Sequence, residues 1–181
     1  MSWWTDLRLR FYRAALRQRL AGRRVSGEAL PYARMQHVGL LFYATEPGTR
    51  DVVQRYAERL RKQDKKVRLL GLLRDQPGQP DLGFPNFGTH DLDWRYLPKT
   101  PVVPDFLAKP LDLLLNLDPA HHRALEYVTA LADAPFRVGS APVDPTHYEL
   151  MIDVPDGTLT TYLQQLDHYL QRSNTPHAGI T

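Results

Sequence analysis

The adjacent histidines His121 and His122, with Asp118 before them, are the most conspicuous candidates for chemistry in this sequence. Histidine and carboxylate side chains transfer protons and bind transition metals. A helical metal site places its two histidines four residues apart on one face, whereas neighbouring residues of a helix point about 100° apart. We therefore predict no metal site here and interpret the pair as the solvated first turn of a helix.

Other polar residues give weaker indications of catalysis. His90 and Asp91 could supply a base and a carboxylate, but their expected role is to cap a loop. Ser140 follows Val138 and Gly139, but the sequence after it lacks the second glycine that a nucleophile elbow requires. Asp112 and Asp153 are expected to flank strands. The sequence thus predicts no catalytic residue.

Nucleotide cofactors are disfavoured by the turn after the first predicted strand. A dinucleotide-binding turn reads G-x-G-x-x-G, whereas this one reads A-T-E-P-G-T-R and places Glu46 where a phosphate would approach. A phosphate-binding loop of the G-x-x-x-x-G-K type is also absent from the sequence. We predict no cofactor.

The carboxyl ends of the predicted strands mark a crevice, because ligands of open parallel sheets bind there. The crevice candidates are Thr45, Glu46, His90, Asn116, Asp118 and Ser140. One alternative function is an enzyme of glycosyltransferase-like fold that uses Glu46, Asn116 and His90 on a sugar or a phosphorylated substrate.

Alternating apolar strands and amphipathic helices must position these residues. Strands are predicted at 37–43, 67–73, 111–117, 136–139 and 150–154, and helices at 3–21, 50–63, 118–133 and 158–172. Thr49 is expected to cap the second helix and Asp118 the third. The alternation predicts an α/β, Rossmann-like three-layer sandwich with a mostly parallel sheet of five or six strands, the first strand being central.

The segment 74–110 carries seven of the fifteen prolines. A structureless loop of that length is unusual in a compact domain. We predict a short extra strand at 94–97 and a short helix at 102–108, and its aromatic residues are expected to pack down. We divide the chain into a basic arm and connector (1–36), a Rossmann-like domain (37–172) and a flexible tail (173–181).

Composition and charge narrow the classes of function. The chain has 181 residues and no cysteine, which excludes disulfides and thiolate chemistry and favours a reducing cytoplasm. No apolar run approaches the ~20 residues of a membrane span. Residues 1–36 carry eight arginines against two carboxylates, a net charge of +6, whereas the whole chain carries +3. A basic arm attached to a mildly acidic body indicates an anionic partner.

The arm is an amphipathic helix with two apolar faces separated by arginines. We expect its contact residues to be the arginines and the aromatic residues among them: Trp3, Trp4, Arg8, Arg10, Phe11, Arg13, Arg17, Arg19, Arg23 and Arg24. Three interpretations remain open: a peripheral membrane helix, an arm that binds RNA or a ribosome, and a helix docked between its own body and a second subunit. We narrowly favour a non-catalytic protein that contacts RNA or a ribonucleoprotein; its oligomeric state is not predicted.

Five strings of residues extend over most of the chain: H-V-G-L-L-F-Y at 37–43, D-L-D-W at 91–94, K-P-L-D-L-L-L-N-L at 109–117, F-R-V-G at 136–139 and Y-E-L-M-I-D at 148–153. Together they resemble a small uncharacterised bacterial family known only as a domain of unknown function. The resemblance implies a Rossmann-like cytoplasmic protein and no particular activity. More distantly, the run from D-L-L-L-N-L to F-R-V-G looks like the N-terminal half of heptosyltransferase-type glycosyltransferases, whose second domain, which binds the sugar nucleotide, this chain lacks.

Overall fold

In the part of the chain that the structure describes, six parallel strands in the order β3-β2-β1-β4-β5-β6 form the centre of the fold. The computed structural model describes residues 3–20, 31–74, 81–141 and 147–172. The strands are β1 (His37–Tyr43), β2 (Lys66–Leu73), β3 (Asn86–Gly88), β4 (Leu113–Asn116), β5 (Phe136–Ser140) and β6 (Leu150–Ile152). The predicted α/β, Rossmann-like sheet with an interior first strand is confirmed.

Strand β1 is buried on both faces, as its nearly continuous apolar run predicts. Val38, Leu40 and Phe42 pack into one core, and Leu41 packs into the core on the opposite face of the sheet. The strand pairs with β2 on one side and with β4 on the other, so that Val38 lies opposite both Val67 and Leu113. The strand order reverses between β1 and β4, and we call this place the switch point.

In the described ranges, five α-helices cover the sheet or pack outside it. They are α1 (Trp3–Leu20), α2 (Pro47–Arg61), α3 (Val102–Leu107), α4 (Arg123–Leu131) and α5 (Leu159–Arg172). Apolar residues of α2 and α5 fill the core on one face, and those of α3 and α4 fill the core on the other. Helix α1 lies outside this sandwich, against α4.

Two predicted helix starts are wrong. Helix α2 begins at Pro47 with Glu46 as N-cap, instead of after Thr49, because proline suits the first position of a helix. Helix α4 begins only at Arg123, although Asp118 and the proline after it form a common start signal. Asp118 instead accepts hydrogen bonds from the backbone N–H groups of Ala120 (3.2 Å) and His122 (2.6 Å), and so stabilises a turn before the helix.

The predicted strand at 94–97 is also wrong. Residues 94–96 form a turn and a bend in which the carboxylate of Asp93 accepts the backbone N–H groups of Arg95 and Leu97. A single antiparallel bridge, Leu92 to Pro98, closes this turn. The strand supplied by this segment is β3, while the predicted short helix is present as α3.

Asp112 has the structural role predicted for it. Its Oδ2 accepts hydrogen bonds from the backbone N–H groups of Gln36 (2.8 Å) and His37 (2.7 Å) at the start of β1. Burial would raise the pKa of Asp112, but these two bonds and the His37 side chain lower it. The carboxylate thereby anchors the first residue of the central strand to the loop before β4.

Candidate functional site

Helix α1 docks on the body through one face. Tyr12 and Leu16 are buried there in a small cluster with Leu97, Tyr127 and Ala130. The Tyr12 hydroxyl donates a 2.9 Å hydrogen bond to the backbone oxygen of Arg123, at the start of α4. Of the two apolar faces that the sequence indicates, the one containing Tyr12 is therefore the docked face.

The opposite face of α1 is exposed and carries arginine and aromatic side chains. Trp3 and Trp4 are 66% and 64% exposed and contact each other edge to face, with ring centroids 4.7 Å apart. Arg10, Arg13 and Arg17 are also exposed. Their spacing of three and four residues places them along one stripe of the helix, about 4.5 and 6 Å apart along its axis.

Arg8 points to the body of the protein, unlike those three arginines. Its Nε donates a 2.6 Å hydrogen bond to the backbone oxygen of Trp94. Its guanidinium lies over the Tyr96 ring, 4.1 Å from the ring centroid. Arg8 thus joins α1 to the turn at 92–98, whereas sequence reasoning assigns it to partner contact alone.

The turn at 92–98 extends the exposed surface of α1. Trp94 is 52% exposed, and its ring meets Phe11 edge to face with centroids 5.2 Å apart. The prediction that the aromatic residues of this segment pack down holds for Phe84, Phe87 and Phe106, but is wrong for Trp94. We call the exposed aromatic and arginine side chains of α1, together with Trp94, the arm face: Trp3, Trp4, Arg10, Phe11, Arg13, Arg17 and Trp94.

Part of the predicted arm is not described by the structure. Arg23 and Arg24, the connector at 21–30 and the tail at 173–181 lie outside the described residues, and the Arg19 side chain is not described.

The structure brings together three of the six crevice candidates. The backbone oxygen of Asp118 lies 3.5 Å from Ser140 Oγ, and Asn116 is at the end of β4 beside them. The Thr45 hydroxyl oxygen accepts a hydrogen bond from the Arg74 backbone N–H. Glu46 is exposed at the start of α2. His90 follows the edge strand β3, three strands away from β4 and so about 14 Å across the sheet.

The interpretation of His121 and His122 as a solvated helical turn is wrong. Both precede α4, and each one pairs with a buried carboxylate. The Nδ1 of His122 lies 2.9 Å from Asp118 Oδ2, and its ring stacks on Tyr43. The Nδ1 of His121 lies 3.4 Å from Glu126 Oε1, and its Nε2 lies 3.5 Å from Ser140 Oγ. The turn stabilised by Asp118 therefore places the His122 imidazole at the switch point, against the last residue of β1, and the His121 imidazole at the end of β5.

The buried carboxylate of Glu126 contacts several side chains besides His121. Its Oε2 lies 2.7 Å from His147 Nε2 and accepts a 2.9 Å hydrogen bond from the Tyr148 hydroxyl. The Asn116 amide donates to Oε1 at 3.3 Å and to the Tyr148 oxygen at 2.7 Å. Burial would raise the pKa of Glu126, but hydrogen bonds from His121, His147 and Tyr148 and the charge of His147 lower it to about 2.

One acceptor in this cluster is unsatisfied. Asn116 is 1% exposed, and its Oδ1 has no hydrogen-bond partner among the described residues. A buried unpaired acceptor is uncommon in folded proteins and marks places where a ligand or water completes the bonding. In the described ranges, no three His, Asp or Glu side chains form a metal-binding group. None of the helices described there is long and apolar enough to cross a bilayer.

Comparison with known proteins gives one match. Residues 8–172 match a family of unknown function, DUF6913, in agreement with the resemblance drawn from the sequence. No curated protein and no solved structure matches the chain. The likeness to heptosyltransferase-type enzymes therefore stays a prediction.

Proposed function

The chain belongs to the DUF6913 family, whose function is unknown, and we propose that it is a cytoplasmic binding protein that contacts RNA, free or within a ribonucleoprotein, through the arm face. The observation that supports this proposal is the division of α1 into two sides. Tyr12 and Leu16 attach the helix to the body, which leaves the side with three arginines and two tryptophans exposed.

The charge distribution favours a polyanion. Residues 1–36 carry a net charge of +6, and residues 37–181 carry −3. Arg10, Arg13 and Arg17 occupy a single stripe and are exposed, so that all three can contact phosphates of one strand. The acidic body repels the same strand and so directs it to α1.

The aromatic side chains favour unpaired bases. Trp3, Trp4 and Trp94 are each more than half exposed. Exposed rings of this kind stack on the bases of single strands, a contact that adds affinity with little dependence on salt. A duplex hides its bases from such rings, so the arm face is better suited to single-stranded RNA.

The test is salt-dependent binding of a labelled single-stranded RNA to the full chain. Each phosphate contact lowers the log–log slope of affinity against salt by about 0.7. Replacing Arg10, Arg13 and Arg17 by glutamine should therefore flatten the slope by about two units. Replacing Trp3 and Trp4 by alanine should weaken binding and leave the slope nearly unchanged.

A charge-matched control separates contact from net charge. Arg55, Arg61 and Lys62 are exposed at and just after α2, and their replacement by glutamine removes the same charge from the body. This variant should keep the wild-type slope. The proposal is wrong if RNA does not bind, if the two triple variants lose the same slope, or if the chain binds anionic lipid vesicles in preference to RNA, as an interfacial helix would.

A further inference from the structure

Ser140, His121 and Glu126 form a chain of hydrogen-bonding groups at the carboxyl ends of β4 and β5. Ser140 Oγ lies 3.5 Å from His121 Nε2, and His121 Nδ1 lies 3.4 Å from Glu126 Oε1. Each atom is the one that a serine–histidine–carboxylate triad uses in that position. Nucleophile-to-base distances at the long end of the hydrogen-bond range are common before a substrate is bound.

The carboxylate of this chain is rigidly held. Glu126 Oε2 is fixed by His147 and by the Tyr148 hydroxyl, and Asn116 donates to Oε1. The low pKa of Glu126, which these bonds cause in spite of burial, keeps it ionised at neutral pH. An ionised, immobile carboxylate holds the Nδ1–H of His121 and leaves Nε2 free to accept a proton.

His121 has an unusual backbone conformation. Its φ is +54°, in the left-handed region that residues with a side chain rarely adopt. Backbone of this kind is found in tight turns and also clusters at functional sites. The conformation lets His121 reach Ser140, while its neighbour His122 turns to Asp118 and Tyr43.

We propose that Ser140 is the nucleophile of an acyl-transfer site, with His121 as its general base and Glu126 as the positioning residue. Ser140 Oγ attacks the carbonyl carbon of an ester as His121 Nε2 takes the hydroxyl proton. The alcohol then leaves with that proton, and the acyl group remains as an ester on Ser140. Water, deprotonated by His121, attacks this ester, releases the acid and returns the proton to Ser140.

The surroundings of Ser140 define the class of substrate. Ser140 is 3% exposed, so the side chains around it must shift to admit a substrate, and the acyl group that they admit must be small. The carboxylates of Asp118 and Glu126 lie in the same cluster and disfavour an anionic acyl group. The substrate class is therefore a small uncharged ester. This inference is independent of RNA binding, because α1 contributes none of the three residues.

The experiment uses methanesulfonyl fluoride, a serine-reactive compound small enough for this site, on the full chain. Ser140 should attack its sulfur, release fluoride and gain a single methanesulfonyl group, which intact mass and peptide mapping locate. Ser140→Ala should give no adduct. His121→Asn removes the imidazole but tolerates the left-handed backbone, and should slow labelling about 100-fold or more.

The matched control is His122→Asn, which changes the neighbouring histidine and keeps a favourable N-cap residue before α4. It should be labelled within a few-fold of the wild-type rate. The proposal is overturned if the wild-type chain gains no adduct at Ser140. It is also overturned if folded His121→Asn is labelled at the wild-type rate, or if the two histidine variants slow labelling equally.

Discussion

The imidazole of His122 lies flat on the ring of Tyr43, with ring centroids 4.1 Å apart and planes inclined by 13°. This stack joins the last residue of β1 to the turn before α4, across the switch point. We predict that Tyr43→Leu and His122→Asn are coupled, with an interaction free energy of about 0.5 to 1.5 kcal/mol in a double-mutant cycle. Urea unfolding of the four proteins measures it, and a coupling indistinguishable from zero contradicts it.

The ionisation of Glu126 should make the free energy of unfolding depend on pH in the acidic range. Its pKa is lowered to about 2 in the folded chain, whereas an unfolded glutamate titrates near pH 4.5. The folded state therefore gains stability above pH 4.5 and loses it as pH falls toward 2. Between pH 6 and pH 3, the stability advantage of the wild type over Glu126→Gln should shrink by about 2 kcal/mol.

Urea unfolding at several pH values tests this prediction. Glu58→Gln, an exposed position on α2, serves as the control and should follow the wild-type curve. A constant difference between the wild type and Glu126→Gln over the whole range would show that Glu126 does not titrate as the geometry requires.

Gly139 should not tolerate a side chain. A Cβ at this position would lie 2.5 Å from the Tyr148 ring, which holds Glu126 through its hydroxyl. We expect Gly139→Ala to destabilise the fold by about 1 to 3 kcal/mol, because the ring must shift. Gly48→Ala is the matched control: a Cβ at this position of α2 would meet no atom within 4 Å, so the change should be neutral or stabilise by up to about 1 kcal/mol.

The carboxylate of Asp112 should stabilise the start of β1. Removing its carboxylate leaves the backbone N–H groups of Gln36 and His37 without their acceptor. We predict that Asp112→Ala lowers the free energy of unfolding by about 1 to 3 kcal/mol, whereas Asp51→Ala, on the exposed side of α2, changes it by less than about 0.5 kcal/mol. Equal effects in the two variants would contradict this assignment.

Deleting residues 1–24 should leave a cooperatively folding domain. The two main cores contain no residue of α1, which contributes only to the small cluster around Tyr12. Thermal unfolding should keep a single transition at a somewhat lower Tm, because Tyr127 and Leu97 become exposed. A broad, non-cooperative transition would show that α1 belongs to the core.

Much of the fold can be predicted because its two longest strands, β1 and β2, are largely apolar runs and the helices that cover the sheet are amphipathic. β1 and the apolar stripe of α2 are recognisable for this reason. The start of α4 is not recognisable from the sequence, because the carboxylate of Asp118 can cap a helix or a turn equally well. Only the tertiary contacts of His122 determine which of the two forms. The short strand β3 escapes prediction because three residues carry too little periodicity.

The histidine cluster cannot be predicted from spacing. Ser140 lies at the end of β5, and only the pairing of β5 with β4 brings it to His121 and Glu126, which are five residues apart in the segment after β4. The neighbouring residues alone predict that His121 lies in a helix, and this prediction gives the wrong direction for its side chain. The sequence does contain one signal: Glu126 interrupts the apolar side of α4, and a carboxylate at such a position needs buried partners.

The position of β1 between β2 and β4 has a consequence for the growing polypeptide. β2 follows β1 within 30 residues, but the partner on the other side, β4, begins only at Leu113. During synthesis, one edge of the most apolar strand therefore stays unpaired until more than half of the chain has been made. An open edge of this kind readily pairs with other chains, so the nascent protein is most vulnerable to aggregation in that interval and is a natural client for chaperones that shield β-strand edges.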